Sequence, residues 1–185
     1  MPASSPVTPA PGQLEFVRAF VNTLDIEAGT DQLHDLTTWR TWADKHNVDA
    51  HASREDLQFA RHLRESLRAG MLANHDRLPV PDSTVDALNE AADRANAGVR
   101  FTPDGAQVQA SGTGMNAVFG LLVSVLSTAM NDGTWARLKT CAADDCQWAF
   151  YDSSRSRTGQ WCSMSICGNR AKQARWRQQT AGAGK

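Results

Sequence analysis

At 185 residues, 41% of them hydrophobic, the chain is long enough for one medium domain and a small module, and it has no apolar run long enough for a membrane-spanning helix. Its net charge of −1 hides a division: residues 1–134 carry 10 basic and 17 acidic side chains, and residues 135–185 carry nine and three. An acidic body beside a basic segment favours a polyanionic partner, with a merely solubilising surface as the alternative.

The chain begins with a segment rich in proline and continues with helical patterns. Residues 1–12 lack the basic start and apolar centre of an export signal, so we predict a flexible leader on a cytoplasmic protein without a membrane partner. Apolar residues at helical spacing predict helices over residues 13–24 and 32–46. A loop is predicted between them, at residues 25–30.

Two further helices are predicted in the middle of the chain. Ser53 can cap the first of them, with acidic residues in its first turn where the helix dipole favours negative charge. Its arginines are expected mostly on the solvent side: Arg61, Arg64 and Arg68. The next helix follows two prolines and opens at Asp82 or Ser83.

Helical periodicity then stops. Residues 99–101 and 106–108 alternate around a Thr-Pro-Asp-Gly turn, which predicts a small β-hairpin. Residues 115–130 form the most apolar segment of the chain. Its length is typical of a buried helix rather than of a membrane span, so we predict a central core helix.

All four cysteines lie near the C-terminal end, as Cys141 with Cys146 and Cys162 with Cys167. Each pair encloses four residues and fifteen separate the pairs, which is the spacing of a site that holds one zinc ion with four thiolates. So small a segment has little apolar surface to order itself, and structural zinc can supply on the order of 10 to 16 kcal/mol. Two disulfides or four unrelated thiols are the alternatives, but nothing in the sequence indicates an oxidising compartment, and the spacing favours zinc.

No catalytic pattern accompanies these cysteines. The five histidines are scattered, and the sequence contains neither a glycine-rich phosphate loop nor the setting of an esterase nucleophile. A closed four-sulfur site also leaves no open metal position for a catalytic water. We therefore expect that the protein is not an enzyme.

The segment after the last cysteine predicts a helix with two different sides. Its small side, with Ala171, Ala174 and Gln178, can pack against the zinc site. Its polar side carries residue types that contact phosphates and bases. With two arginines between the cysteine pairs, it makes up the predicted DNA-contacting set: Arg155, Arg157, Asn169, Arg170, Lys172, Gln173 and Arg177. A solvated or protein-binding face is the alternative, and Arg170 can instead brace the finger.

One polar side chain interrupts the apolar pattern of the first helix. Asn22 lies between Val21 and Leu24, so its amide needs partners if it is buried. A structural hydrogen bond to the backbone is one interpretation. The other is a polar anchor in a small-molecule pocket lined by aromatic residues: Phe20, Trp39 and Trp42.

Specific motifs resemble a known pair of domains. With Cys167-Gly-Asn-Arg170, the four cysteines and the Phe150-Tyr151-Asp152 strand, residues 135–178 resemble the CGNR zinc finger. Phe20-Val-Asn-Thr23 and Asp35-Leu-X-X-Trp39 resemble the ABATE domain that accompanies this finger in bacterial proteins. These proteins are regarded as stress-related transcription regulators, so the resemblance implies DNA binding.

We therefore predict a mainly helical, ABATE-like domain with a small hairpin over residues 13–134, a treble-clef-like zinc finger over 135–178 and a flexible tail over 179–185. In a treble clef a knuckle, a hairpin and the first turn of a helix share one ion. The predicted function is a bacterial transcription regulator that binds DNA through the finger, with a body that senses a small-molecule effector or forms a homodimer. A protein–protein adaptor and a thiol redox switch, in which oxidation ejects zinc, are the alternatives.

Overall fold

The computed structural model describes residues 8–103 and 105–182, and 51% of these described residues are helical. The described residues form these α-helices: α1 (Leu14–Val21), α2 (Leu36–Lys45), α3 (Arg54–Ala73), α4 (Asp82–Arg94), α5 (Met115–Asp132) and α6 (Asn169–Gly182). Their strands pair as antiparallel hairpins: β1 (Leu24–Asp25) with β2 (Thr30–Asp31), β3 (Gly98–Thr102) with β4 (Gly105–Gln109), and β5 (Leu138–Thr140) with β6 (Ala149–Tyr151). The predicted fold class, mainly helical with small strands and a C-terminal four-cysteine finger, is confirmed.

Parts of the predicted flexible leader and of the predicted flexible tail are ordered in the structure. Residues 1–7 of the predicted leader lie outside the described residues, but Ala10 is buried and its N–H donates to the Glu15 carboxylate at 2.8 Å. At the other end, α6 continues to Gly182, past the predicted end of the finger at residue 178. Residues 183–185 of the predicted tail lie outside the described residues.

Helix α5 lies at the centre of the core, as predicted. Its side chains Phe119, Leu122 and Leu126 are at most 1% exposed, and α1 and α4 pack against it. The predicted hairpin is present as β3–β4, which α5 supports through a hydrogen bond from the Ser124 hydroxyl to the Val108 carbonyl at 3.1 Å. In the part of the chain that the structure describes, every helix is too short or too polar to cross a membrane.

Helix α2 begins later than the predicted residue 32. The Asp35 carboxylate accepts the N–H groups of Thr37 and Thr38 at 2.8 and 2.9 Å, and the Thr38 hydroxyl accepts the Asp35 N–H. This capping box satisfies N–H groups that have no partner within the helix, so it sets the boundary. Just before it, β1 and β2 pair across the two ends of the predicted loop at residues 25–30.

Two arginines of α3 are buried, so their predicted place on the solvent side is wrong. Arg64 is 3% exposed and donates to both carboxylate oxygens of Asp31, at 2.6 and 3.0 Å. Arg68 is 4% exposed and donates to the carbonyls of Gln147 and Val21, at 2.6 and 3.0 Å. A guanidinium carries five donors on a long apolar stem, so it can be buried wherever the fold supplies oxygen atoms to meet it.

The β5–β6 hairpin of the finger is part of the main core. Trp135, Leu138 and Ala149 are 5%, 0% and 0% exposed and belong to the same hydrophobic cluster as the helices of the body. Gly70 of α3 makes room for the indole, because a Cβ at that position would lie 3.0 Å from a ring carbon of Trp135. At the end of α3, the Asn74 amide donates to the carbonyls of Trp135 and Leu138 at 2.9 and 2.8 Å. One continuous core therefore crosses the predicted domain boundary at residue 134.

Candidate metal centre

Four cysteine sulfurs converge at the tip of the finger. The Sγ atoms of Cys141, Cys146, Cys162 and Cys167 all lie within 4.8 Å of one another. The Cys146–Cys162 and Cys162–Cys167 separations are both 3.7 Å. A tetrahedral ion with zinc–sulfur bonds of about 2.3 Å has sulfurs about 3.8 Å apart, whereas a disulfide brings them to about 2.05 Å. All four cysteines are free, so the geometry fits one tetrahedral ion and not the alternative of two disulfides.

The four thiols can all be ionised at once only if a cation is bound between them. Hydrogen bonds from Cys146 and Cys162 lower the pKa of Cys141 to about 2 and favour its thiolate. The contact with Cys141 raises the pKa of Cys146 to about 12, and it also raises the pKa of Cys162. Thiolates this close repel one another, so all four ionise together only around a bound cation. A closed set of four thiolates is typical of structural zinc, and the predicted cofactor is confirmed in this sense: the four cysteines are positioned to hold zinc.

The first cysteine pair lies at the tip of the β5–β6 hairpin. Cys141 follows β5 directly, and its N–H donates to the Trp148 carbonyl at 2.9 Å. Cys146 closes a tight turn in which its N–H donates to the Ala143 carbonyl at 2.9 Å. Gln147 then takes the left-handed backbone conformation, with φ of 48°, and returns the chain to β6. The hairpin thus brings two sulfurs to the same side.

The second cysteine pair lies at the start of the last helix. Cys167 belongs to a π-helical turn, Met164–Gly168, that leads directly into α6. Trp148, Trp161 and Ile166 pack around the sulfurs and partly cover them. A knuckle, a hairpin and the first turn of a helix therefore surround one ion position, which is the predicted treble-clef-like arrangement.

The Cys167-Gly-Asn-Arg170 motif has a structural use at each position. Cys167 is a ligand candidate. Gly168 leaves space for Met164, whose Sδ would lie 2.8 Å from a Cβ at position 168. The Asn169 amide donates to the Ser165 carbonyl at 3.1 Å and closes the turn before α6. The motif therefore shapes the segment that presents the fourth sulfur.

Arg170 connects the zinc site with its surroundings. Its guanidinium donates to the Cys167 sulfur at 3.3 Å, to Asp145 at 3.3 Å and to Glu27 at 3.0 Å. The hydrogen bond with Cys167 raises the pKa of Arg170. Because a four-thiolate zinc centre carries two negative charges, a cation held against one of its sulfurs stabilises it. Of the two roles predicted for Arg170, the geometry favours structural support of the zinc finger over contact with DNA.

A buried ion pair shapes the loop between the cysteine pairs. Lys139 and Asp152 are 1% and 4% exposed, with 2.9 Å between the ammonium nitrogen and the carboxylate. Burial acts to raise the pKa of Asp152, but hydrogen bonds from Ser154 and Lys139 outweigh it and hold that pKa at about 2. Lys139 also donates to the Arg157 carbonyl at 2.7 Å, so the pair fixes the backbone of the loop.

Three residues of the site were absent from the sequence prediction: Lys139, Asp145 and Glu27. Lys139 carried a signal, since a lysine in the middle of a short strand that enters the core needs a buried partner. Glu27 carried none, because 143 positions separate it from Arg170 and only the tertiary fold brings the two together.

The predicted DNA-contacting residues fall on two parts of the finger. All but one are exposed: Arg155 and Arg157 on the loop after β6, and Asn169, Lys172, Gln173 and Arg177 on α6. Arg170 is half-buried against the zinc site. The small side of α6 was predicted to pack against the zinc site. This prediction is wrong beyond Ala171, because Ala174 and Gln178 are exposed. The helix continues directly from the π-helical turn, and its residues 172–179 are exposed.

The side-chain amide of Asn22, which was predicted as a ligand anchor, forms hydrogen bonds with the backbone of the finger. Its Nδ2 donates to the Ala149 carbonyl at 3.0 Å, and its Oδ1 accepts the Ala149 N–H at 2.7 Å. The other predicted pocket residues, Phe20, Trp39 and Trp42, are at most 3% exposed. Trp42 contacts the rings of both, with centroids 6.3 Å from Phe20 and 5.4 Å from Trp39. Of the two interpretations of Asn22, the geometry favours the structural hydrogen bond.

Comparison with known families agrees with the motifs. The CGNR zinc finger profile matches residues 137–180. The ABATE profile, described as a putative stress-induced transcription regulator, matches residues 15–144, which is more than half of the chain. No curated protein matches the chain significantly. The chain therefore belongs to the ABATE family and carries a CGNR zinc finger, as the sequence motifs predicted.

Proposed function

We propose that the protein is a transcription regulator that binds DNA through its zinc finger, in the cytoplasm of a bacterium. The observation that carries this proposal is helix α6, which starts beside Cys167 and exposes Lys172, Arg175 and Arg177. The segment from residue 135 onward has a net charge of +6 from its basic and acidic side chains, or about +4 with a four-thiolate zinc centre, and the preceding body has −7. DNA phosphates attract the first and repel the second, so electrostatics alone would direct the finger toward the duplex.

The proposed roles within the finger follow from position. Arg155, Arg157 and Lys172 contact phosphates, because lysine and arginine on exposed loops and helix faces suit that contact. Base contacts are assigned to α6 side chains of the type that reads base edges, with Gln173 and Arg177 as the candidates, because the Asn169 amide is engaged with the Ser165 carbonyl. Arg170 supports the site and does not read bases in this scheme.

The body is proposed to sense a small-molecule effector or to form a homodimer. Two surface features support these roles. A cavity of about 540 Å³ beside the start of α2 is lined by Arg54, Arg61 and His34 and by one carboxylate, Asp35, so its two arginines outnumber the acidic group, which suits an anionic effector. Strand β3 exposes Phe101 at 86%, which suits a protein contact. We propose no catalysis, because a closed four-sulfur site has no open position for water.

Fluorescence anisotropy of a labelled duplex with the zinc-loaded chain tests the proposal. If about four to six phosphates are neutralised, log affinity should fall with log salt at a slope of about −4 to −5. Lys172→Ala and Arg155→Ala should each lower the slope by about one unit and weaken all sequences alike, whereas Lys45→Ala in the body should not. Arg177→Ala should cost about 1 to 3 kcal/mol at one base position only.

The alternatives predict other results. If the zinc-loaded chain shows no salt-dependent affinity for duplex DNA, the finger acts as a protein–protein adaptor, for which the exposed Trp176 of α6 would be the natural contact. If mild peroxide releases zinc and abolishes an affinity that reduction and zinc restore, a thiol redox switch is added to the DNA-binding role.

A further inference from the structure

A second cleft, of about 310 Å³, lies between the body and the finger. Its volume equals that of about ten water molecules. The body side is lined by His75, Asp76 and Arg77, which follow the end of α3, and the finger side by Arg157, Thr158 and Gln160 of the loop after β6.

The two arginines face the cleft with uncommitted charges. Lys139 also lines it, but its ammonium group is paired with Asp152. Within residues 8–103 and 105–182, the guanidinium groups of Arg77 and Arg157 have no hydrogen-bond or ion-pair partner, and both residues are exposed. Asp76 is the one carboxylate among the lining residues, so the uncommitted arginines outnumber it. An anion in the cleft would meet donors from both sides.

Both arginines hold the backbone in a conformation that costs free energy. Arg77 and Arg157 each have φ of 55°, in the left-handed region that a side chain disfavours. At Arg77 the Leu78 N–H donates to the Ala73 carbonyl at 3.1 Å, which is the closing hydrogen bond of a helix end where glycine is the usual residue. Two long basic side chains at such positions, on opposite sides of one cleft, point to a use for the charge rather than for the backbone.

We propose that this cleft binds a phosphate group, held between Arg77 of the body and Arg157 of the finger, and that in the complex with DNA the group is a backbone phosphate. The guanidinium fork matches the oxygens of a phosphate and pairs with it through two hydrogen bonds. Gln160 and Thr158 add uncharged hydrogen-bonding groups at the same wall. The inference rests on the proposed function for the source of the phosphate, and it adds a contact from the body to an interface otherwise confined to the finger.

The test uses Arg77→Gly, because glycine suits the left-handed backbone and removes only the side chain. The zinc-loaded variant should unfold at the same temperature as the wild type or higher, whereas its affinity for duplex DNA should fall about 10-fold or more. Its log–log salt slope should be smaller by about one unit. Arg77→Asn, which also tolerates this backbone, should behave alike, and Arg157→Gly should match it on the other side of the cleft. Arg100→Ala on β3, an exposed arginine of the body, is the control and should leave the slope unchanged.

The outcomes separate this inference from the function on which it rests. If the wild type binds DNA with salt dependence and Arg77→Gly binds equally well, the cleft site is refuted while DNA binding stands. If the wild type has no affinity for DNA, thermal shifts with pyrophosphate decide: a rise for the wild type that Arg77→Gly lacks supports a phosphate site served by a free phosphorylated molecule. Equal thermal shifts for both proteins, or none, overturn the site.

Discussion

At the scale of single residues, the clearest assignment concerns Arg170. Its hydrogen bonds reach a cysteine sulfur, Asp145 in the knuckle and Glu27 in the body, so one guanidinium joins the metal ligands to the rest of the molecule. The exposed Glu27 and Asp145 contribute little as ion pairs on their own, because solvent screens them. The contact with the Cys167 sulfur matters more, since groups that bond to metal ligands orient them and tune their affinity for the metal.

Arg170→Ala should therefore weaken zinc binding. We expect zinc transfer to a chromogenic chelator to show an affinity about 10-fold lower or more, the usual effect of losing a group that bonds to a ligand. Arg175→Ala, an exposed arginine of the same helix, is the matched control and should transfer zinc like the wild type. Unchanged zinc affinity together with weakened DNA binding would reverse the assignment and make Arg170 a DNA contact.

A second residue-scale prediction concerns the pairing of Asp31 with Arg64. Burial acts to raise the pKa of Asp31, but the hydrogen bonds from Arg64 and the Leu33 N–H, together with the positive charges of Arg64 and Arg61, outweigh it and leave the pKa below its ordinary value of 3.8. The folded state thus binds this proton less tightly than the unfolded state. The pair stabilises the fold at pH values above 3.8, and that contribution is lost as the pH falls through the lowered pKa of the folded state.

Asp31→Asn should accordingly destabilise the protein at neutral pH, by about 1 to 3 kcal/mol in urea unfolding. The difference from the wild type should stay constant down to about pH 5 and shrink below about pH 4. The exposed Asp86→Asn serves as the control for the loss of a carboxylate. A difference that grows on acidification would contradict the assigned direction of the pKa shift.

At the scale of elements, the β5–β6 hairpin is held from two directions. Its tip carries two of the cysteines, and its base is attached to the body through Asn22, Arg68 and Asn74. The loop after β6 and the π-helical turn depend instead on the metal and on the Lys139–Asp152 pair. Two parts of one finger should therefore respond differently when zinc is lost.

Cys162→Ser should reveal this difference in hydrogen–deuterium exchange. We expect residues 153–168 and α6 to lose protection, because the Lys139–Asp152 pair holds only part of the loop and the metal site closes the rest of that segment. The backbone amides of β5 and β6 should stay protected, because their strands share the core of the body. Ser156→Ala in the exposed loop controls for substitution alone. Loss of protection through the whole of residues 135–178 would show that the hairpin relies on zinc as well.

At the scale of the whole molecule, the shared core fixes how the basic finger is oriented relative to the acidic body. An acidic body would reduce the attraction of the chain for DNA if the finger moved freely against it. The shared core and the buried hydrogen bonds of Asn22 and Arg68 hold the finger in one orientation, so its basic surface is presented consistently. In the proposed complex with DNA, this fixed orientation would let the body contribute a residue such as Arg77 to the same interface.

Chelation of zinc tests the molecule as a unit. We expect far-UV circular dichroism to decrease only by the contribution of α6 and the π-helical turn, because the remaining helices pack in a core without metal. DNA affinity should be lost with zinc and return when zinc, but not magnesium, is added back. Affinity that survives complete chelation would argue that the finger is not the DNA-binding element.

Several features could be predicted from the sequence because their causes are local. Four thiols at equal spacing predict the metal site, since the ligand type and the chain length between ligands are enough to define it. Ser53 and the apolar pattern of residues 115–130 likewise predict the start of α3 and the course of α5. The motifs around Cys167 and Phe20 predict the family for the same reason.

The roles of the buried polar residues depended on the tertiary structure. Asn22 pairs with Ala149 across 127 positions, Arg68 with Gln147 across 79, and Asn74 with Leu138 across 64. Each polar group can be buried only where the fold supplies its hydrogen-bond partner. The periodicity of apolar residues in the sequence does not reveal partners that are so far apart along the chain. The sequence by itself determined the zinc ligands and the helices. The attachment of the finger to the body was decided by long-range burial of hydrogen-bonding groups, whose free energy depends on their surroundings in the folded chain.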